Sequence, residues 1–141
     1  MRFEDLMKEG KVRKGRPDVS LAKSLVAMSD RQLSFVSGTR LNTDNASPAL
    51  VSYYEALREI CEAICAKEGY KVYSHEAFTL YLKDNLKEDL LAEKFDRLRR
   101  LRNQINYYGE PVSLQEAEAA AAQVIGLIAS LKRKYLGEIM K

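Results

Sequence analysis

Residues 97–109 have the sequence RLRRLRNQINYYG, which places four arginines, two asparagines and two tyrosines at the end of a predicted core helix. Four polar residues of this stretch are spaced at i, i+3, i+4 and i+7 and share one helix face. They are Arg99, Arg102, Asn103 and Asn106. Because asparagine is a mediocre helix former, this face indicates a site for an anion, a nucleic acid or a partner chain. The alternative is that Arg102 and Asn106 cap the helix end or connect two copies of the chain.

This stretch ends the third of four long amphipathic helices that the spacing of apolar residues predicts. A shorter helix, opened by Ser74, is expected between the second and the third. Asp18 and Ser47 are predicted N-caps, and Ser113 with Glu116 has the capping-box pattern. The expected spans of the long helices are about 18–38, 48–68, 87–107 and 114–135.

Apolar stripes on these helices indicate how they pack. The stripe of the first long helix is Leu21, Leu25, Met28 and Phe35. The stripe of the third is Leu91, Phe95, Leu98, Leu101, Ile105 and Tyr108. Since each helix can bury its stripe only against the others, the pattern favours an all-α fold, an up-and-down four-helix bundle with an extra short helix.

Residues 1–17 stand apart from the predicted bundle of residues 18–141 because basic side chains dominate them. These side chains are Lys8, Lys11, Arg13, Lys14 and Arg16. Their composition predicts an extended or loosely docked basic arm. The formal net charge is only +3, yet this arm and residues 94–102 are local basic patches of the kind that attract phosphate-bearing ligands. For the arm alone we favour simple solvation of the charges.

Several classes of site are not expected. Cys61 and Cys65 lie one helical turn apart, about 5 to 6 Å between Cβ atoms, which is too far for a disulfide and predicts reduced core thiols. With His75 as the only histidine, a zinc site of the usual ligands cannot be assembled, and we expect neither a metal nor a cofactor. Glu4 and Asp5 argue against a secretory signal, and the longest apolar stretch is shorter than the roughly 20 residues a membrane span needs. We therefore expect a cytoplasmic protein without membrane contact.

The motif that begins at Arg102 resembles the signature of the HEPN domain (higher eukaryotes and prokaryotes nucleotide-binding). That signature is an arginine, often followed by a polar residue, with a histidine five positions after the arginine. Four segments together resemble a small archaeal branch of HEPN-like proteins, and the resemblance covers most of the chain from about Lys11 to Tyr108. The segments are residues 10–18, 52–58, 73–77 and 102–109.

The resemblance implies a bundle of four or five helices, commonly a homodimer that brings two signature helices together across a cleft. Many relatives are metal-independent ribonucleases, often toxins encoded beside an MNT-type nucleotidyltransferase antitoxin. In those enzymes the arginine stabilises phosphate charge and the histidine handles the proton. Arg102 matches the arginine and Asn103 the polar follower, but Tyr107 stands at the histidine position.

Tyr107 changes the functional prediction. The reference pKa of tyrosine is about 10, against about 6.5 for histidine, so tyrosine is a poor general base at neutral pH. Arg102, Asn103 and Tyr107 therefore remain catalytic candidates only, while Arg99, Arg102, Asn103 and Asn106 are the predicted phosphate- or RNA-binding residues. His75 could approach them in space, although a cap-region or core position is favoured.

We thus expect a homodimer that binds RNA, a nucleotide phosphate or a nucleotidyltransferase partner in a toxin–antitoxin-type system, with weak or absent catalysis. The alternatives are an active metal-independent ribonuclease toxin and a purely structural dimerisation module. Arg102→Ala should abolish RNA cleavage under the first alternative and alter the oligomeric state under the second.

Overall fold

Helices account for most of residues 1–140, the part of the 141-residue chain that the computed structural model describes. In chain order the elements are α1 (Phe3–Lys8), β1 (Val12–Lys14), α2 (Val19–Ser37), α3 (Ala46–Lys67), β2 (Tyr70–Val72), α4 (Glu76–Leu80), a π-helical turn (Tyr81–Asn85), α5 (Asp89–Tyr108) and α6 (Leu114–Tyr135). The predicted all-α class is confirmed. The two short strands, which pair antiparallel, are an addition that the sequence did not predict.

Helix α3 lies at the centre of the molecule, and the other long helices pack around it. Ser29 of α2 donates a hydrogen bond of 2.7 Å to the Ala56 carbonyl, and the rings of Tyr54 and Phe95 join α3 to α5 at a centroid distance of 5.5 Å. Fourteen residues of α3 are buried, which makes it the main hydrophobic element. Full burial of one large apolar side chain stabilises the fold by about 1.5 to 3 kcal/mol.

The contacts at the helix ends set the directions of the chain. The Asp18 N–H, just before α2, donates to the Ala66 carbonyl near the end of α3, so α2 and α3 run in opposite directions. Lys67 at the end of α3 donates to the Tyr135 carbonyl at the end of α6, so these two run in the same direction. Glu88, just before α5, accepts from the Tyr135 hydroxyl, so α5 runs opposite to α6.

Two of the three predicted N-caps are confirmed. Asp18 accepts from the Leu21 N–H at 3.0 Å, and Ser113 with Glu116 forms the reciprocal capping box. The prediction for Ser47 is wrong, because α3 begins two residues earlier than predicted, at Ala46, and its N-cap is Asn45. The Ser47 hydroxyl instead accepts from a backbone N–H of the segment that precedes α6.

The packing of α2 differs from the predicted stripe. Leu25 is buried as expected, but the predicted burial of the other three is wrong, since Leu21 is 38%, Met28 51% and Phe35 75% exposed. The buried face carries Ala22 and Ser29 instead. Small side chains let α2 lie close to α3, and this close approach turns the longer apolar residues outward.

The predicted stripe of α5 is confirmed except at its last residue, since Leu91, Leu101 and Ile105 are partly buried against the core. Phe95 and Leu98 are buried, whereas Tyr108 is 75% exposed because the last turn of α5 extends beyond the core. Gly109 ends the helix in the left-handed conformation with φ +64°. Of the predicted polar face, Asn106 in this last turn is therefore exposed, whereas Arg102 and Asn103 are half-buried.

The N-terminal segment is docked, which contradicts the expected extended or loosely docked arm. Phe3 and Leu6 of α1 and Val12 of β1 are buried. The Phe3 ring lies 5.3 Å from the rings of Tyr70 and Tyr81 in edge-on contacts. Helix α1 is too short to show periodicity in the sequence, and this is why its burial was not predicted.

Cys61 and Cys65 are buried free thiols, which confirms the prediction of core cysteines. Burial raises the pKa of the Cys61 thiol to about 12. Within residues 1–140 no group of three or more metal-ligating side chains is placed to hold an ion. No helix of this part of the chain has both the length and the apolar character that a bilayer crossing requires.

Candidate functional site

Arg102, near the end of α5, lies between two aromatic rings. Its guanidinium carbon is 5.7 Å from the ring centroid of Tyr54 on α3 and 5.4 Å from that of Tyr107 on its own helix. Nη1 donates to the Tyr107 hydroxyl at 3.1 Å and to the Asn103 side-chain oxygen at 3.2 Å. The aromatic faces and these two acceptors hold the guanidinium in place without neutralising its charge.

The charge of Arg102 has no carboxylate partner among residues 1–140. In addition, its Nε is buried and has no hydrogen-bond acceptor in this part of the structure. A buried donor without an acceptor is costly, and in native proteins such a group is commonly explained by a bound ion or water. This donor and this unpaired charge make Arg102 the centre of the candidate site.

His75 joins the site from another element. It lies in the predicted cap region, although α4 has His75 as its N-cap and is not opened by Ser74 as expected. Its Nδ1 lies 3.0 Å from the hydroxyl of Tyr54. Tyr54 is fully buried, and burial raises the pKa of its hydroxyl, so the phenol stays protonated. Tyr54 therefore bridges His75, through its hydroxyl, and Arg102, through its ring.

The electrostatics of this bridge keep His75 neutral. Burial first, and then the positive charges of Arg102 and Arg58, lower the pKa of His75 to about 4. An imidazole with this pKa is uncharged at pH 7 and offers one N–H donor and one acceptor. The site thus combines one unpaired cation with a neutral imidazole.

Arg99, a predicted phosphate-binding residue, has a different environment. Its Nη2 lies 2.9 Å from Asp96 Oδ1, and its Nε donates to the same oxygen at 3.0 Å. Arg100 pairs with the other oxygen of Asp96 at 2.9 Å, and the Thr79 hydroxyl donates to Oδ1. Asp96 thus holds two of the arginines of residues 97–109.

The other predicted residues lie at two levels of burial. Asn103 is half-buried and accepts from Arg102, while Tyr107 is 67% exposed and accepts from the same guanidinium. Asn106 is exposed, and no side-chain hydrogen bond from it is seen in the described residues. The structure therefore brings together Arg102, Asn103 and Tyr107, with Arg99 one turn away at Asp96.

Two residues of the site were not predicted as site residues. Tyr54 lies with Leu50 and Leu57 at the helical spacing that is typical of core residues, and His75 lies in a separate segment of the chain. The sequence contains one signal for this site, because its single histidine, His75, could approach the arginines in space. Its position became clear only from the packing of α3, α4 and α5.

The arrangement can bind an anionic oxygen at Nη2 of Arg102, which forms no hydrogen bond in the described residues and is not buried, with an aromatic surface beside it. Arginine suits phosphate because its planar donors match two oxygens at once. Comparisons of the chain with protein-family models, with curated proteins and with solved structures found no match. The chemistry of the site is therefore the basis for a functional proposal.

Proposed function

We propose that this protein is a HEPN-like, up-and-down four-helix bundle that binds the phosphate of RNA or of a nucleotide at Arg102. The observation that carries the proposal is the half-buried guanidinium, which lacks a carboxylate and has a buried Nε without an acceptor. The alternating directions of α2, α3, α5 and α6 support the bundle. The HEPN signature at Arg102 and Asn103 supports the choice of a phosphate ligand.

The proposal is tested by titrating a fluorescein-labelled single-stranded RNA and, separately, a nucleoside triphosphate. Arg102→Ala should weaken binding at least about tenfold, since a charge-assisted contact to phosphate is lost. Arg100→Ala is the matched control, because Arg100 is 75% exposed and already paired with Asp96. Control binding should change less than about twofold. Equal losses in the two variants would refute a specific site at Arg102.

The resemblance extends the proposal to an assembly. We propose a homodimer that associates with an MNT-type nucleotidyltransferase in a toxin–antitoxin-type system, in the cytoplasm. Sedimentation of the purified chain measures the first part, and co-purification with a co-expressed nucleotidyltransferase encoded beside it measures the second. A monomer at all concentrations would contradict the dimer.

Ribonuclease activity is the second candidate, and one observation favours it. His75 contacts the hydroxyl of Tyr54, whose ring lies beside Arg102, and it is neutral at pH 7, so it can accept a proton. Its low pKa makes it a weak base, since efficient catalysis needs a pKa near the working pH. Cleavage of RNA in EDTA that is lost in His75→Ala and in Arg102→Ala would establish the enzyme; intact RNA after long incubation would exclude it.

A purely structural dimerisation module remains the third hypothesis. It predicts that Arg102→Ala and Asn103→Ala change the oligomeric state and that RNA and nucleotides do not bind. Binding that weakens steeply with salt would argue against it, because such dependence reports the release of counterions from phosphates.

A further inference from the structure

A second basic surface lies away from α5, where β1, β2 and the start of α2 meet. Its cavity of about 400 Å³ is lined by residues of all three segments and is named here the β cleft. The residues on which its chemistry depends are Arg13, Arg16, Lys71 and Tyr73. This volume is in the range of pockets that hold a small ligand.

The register of the two strands places like charges opposite each other. Arg13 of β1 pairs with Lys71 of β2. Like charges directly opposite in an antiparallel pair are destabilising. Within residues 1–140, Arg13, Arg16 and Lys71 form no ion pair with a carboxylate. Positive charge is therefore in excess here, since Asp18 is the one acidic residue that lines the β cleft.

The remaining charged groups of the β cleft are already engaged. The Asp18 carboxylate accepts from the Leu21 N–H as the cap of α2. Lys14 donates to the Glu68 carbonyl, and its Nζ lies 4.2 Å from the ring centroid of Tyr70. Lys14 thus has a structural role, whereas Arg13, Arg16 and Lys71 are exposed and free to bind an anion.

An aromatic ring lies beside these cations. Tyr73 is 59% exposed, and the Arg13 guanidinium lies 5.9 Å from its ring centroid. The backbone N–H of Tyr73 donates to the Lys11 carbonyl. This bond continues the strand pairing and fixes the backbone at Tyr73. Cations beside an exposed aromatic ring are typical of surfaces that bind single strands, on which phosphates contact the charges and bases stack on the ring.

We propose that the β cleft binds single-stranded nucleic acid, with Arg13, Arg16 and Lys71 on the phosphates and Tyr73 stacked on a base. The cleft does not require Arg102, and so this inference goes beyond the function proposed above. Tyr73 precedes His75 by only two residues, a distance of at most about 7 Å between Cα atoms. One strand can therefore extend from the β cleft toward the Arg102 site.

The test uses the full-length protein and a fluorescein-labelled single strand of about 12 nucleotides, long enough for one such surface. Binding is measured as RNA and as DNA of the same sequence, between about 50 and about 200 mM salt. The double variant Arg13→Ala/Lys71→Ala should bind at least about tenfold more weakly. The slope of log affinity against log salt should fall by about 1.4, since each phosphate contact to a single strand adds about 0.7.

The matched control is Arg31→Ala/Arg133→Ala, which removes two exposed charges that form no ion pair in residues 1–140 and lie on α2 and α6. Its affinity should change less than about twofold. A cleft variant that binds like this control would overturn the proposal. Circular dichroism shows whether each variant is folded.

Stacking is tested separately at Tyr73. Tyr73→Ala should weaken nucleic-acid binding at least about fivefold, while Tyr73→Phe, which keeps the ring, should bind like the wild type. Inorganic polyphosphate should bind Tyr73→Ala and the wild type equally. If Tyr73→Ala weakened polyphosphate binding as much as nucleic-acid binding, the β cleft would be a general polyanion surface and the assignment to nucleic acid would be overturned. Competition by polyglutamate as effective as competition by RNA would have the same meaning.

The two proposals fail in different ways. If Arg102→Ala weakens RNA binding and the cleft variant does not, the β cleft inference is wrong and the function at Arg102 stands. If only the cleft variant weakens RNA binding, the function proposed at Arg102 is wrong and the β cleft inference stands. Losses in both variants that add in the combined variant would support two contacts on one strand.

Discussion

Arg99 and Arg100, on one turn of α5, and Arg102, two residues further along, show how much the partners of a residue matter. The first two share the carboxylate of Asp96, at 2.9 Å each. Arg102 contacts two tyrosine rings, a hydroxyl and an amide oxygen, but no carboxylate of the described residues. Three arginines of one helix thus divide into a paired, structural group and an unpaired residue that is available to a ligand.

This difference separates stability from binding. The Asp96 carboxylate and the two arginines it pairs with should contribute to the free energy of unfolding, because their charges satisfy each other. Arg102 should contribute little, because an unsatisfied buried donor opposes its favourable ring contacts. Proteins often retain such residues for function at the expense of stability.

The largest expected effect is therefore at Asp96. Asp96→Ala should lower the free energy of unfolding by about 2 kcal/mol, because it removes a hydrogen-bonded charged acceptor from Arg99 and Thr79. Arg102→Met, which keeps most of the apolar stem, should change it by less than about 0.5 kcal/mol. Urea unfolding of both variants measures the difference. A loss in Arg102→Met as large as in Asp96→Ala would show that Arg102 is structural too.

The next effect concerns pH and the region around His75. The pKa of His75 is about 4 in the folded protein and about 6.5 in the unfolded chain, so the unfolded chain binds the extra proton between these values. The contribution of neutral His75 to the free energy of unfolding is fully present above pH 6.5 and is lost as the pH falls toward 4. The expected slope is up to about 1.4 kcal/mol per pH unit.

His75→Asn isolates this contribution, because asparagine does not titrate and still offers Tyr54 a hydrogen-bond partner. Carboxylates titrate in both proteins, so the difference between wild type and variant reports His75 alone. Urea unfolding at pH 7 and at pH 4.5 is the measurement. If the two proteins lose the same stability between these pH values, His75 has an ordinary pKa.

The sequence could predict contacts within one helix but not contacts between helices. Arg102, Asn103 and Tyr107 lie within two turns of one helix, so spacing alone predicted their proximity, and local hydrogen bonds made Asp18 and Ser113 predictable as caps. The contact between Tyr54 and His75 joins two helices and depends on tertiary packing. The exposure of Met28 had the same origin, because Ala22 and Ser29 decided which face of α2 lies on α3.

The strands were missed for a related reason. Each has three residues, too few for an alternating pattern, and their pairing joins positions about 60 residues apart along the chain. For the same reason the basic arm was predicted as extended or loosely docked. The charges of Arg13 and Lys71 were visible in the sequence, but their direct opposition was not.

The smallest expected effect is a shift in the titration of His75, the only histidine of the chain, whose ring proton gives an unambiguous NMR signal. Arg102→Ala should raise the pKa of His75 above its value of about 4, because a nearby positive charge that disfavours the imidazolium is removed. Burial, the larger cause, remains, so the pKa should stay below 6.5. Arg100→Ala should leave the pKa of His75 unchanged, because Arg100 is not among the charges that shift it.

Saturating nucleotide should also raise the pKa of His75 in the wild type, since a phosphate at Arg102 neutralises the same charge. A nucleotide that binds without moving this pKa would have its phosphate elsewhere. Arg102 would then have a structural role, as Arg99 has.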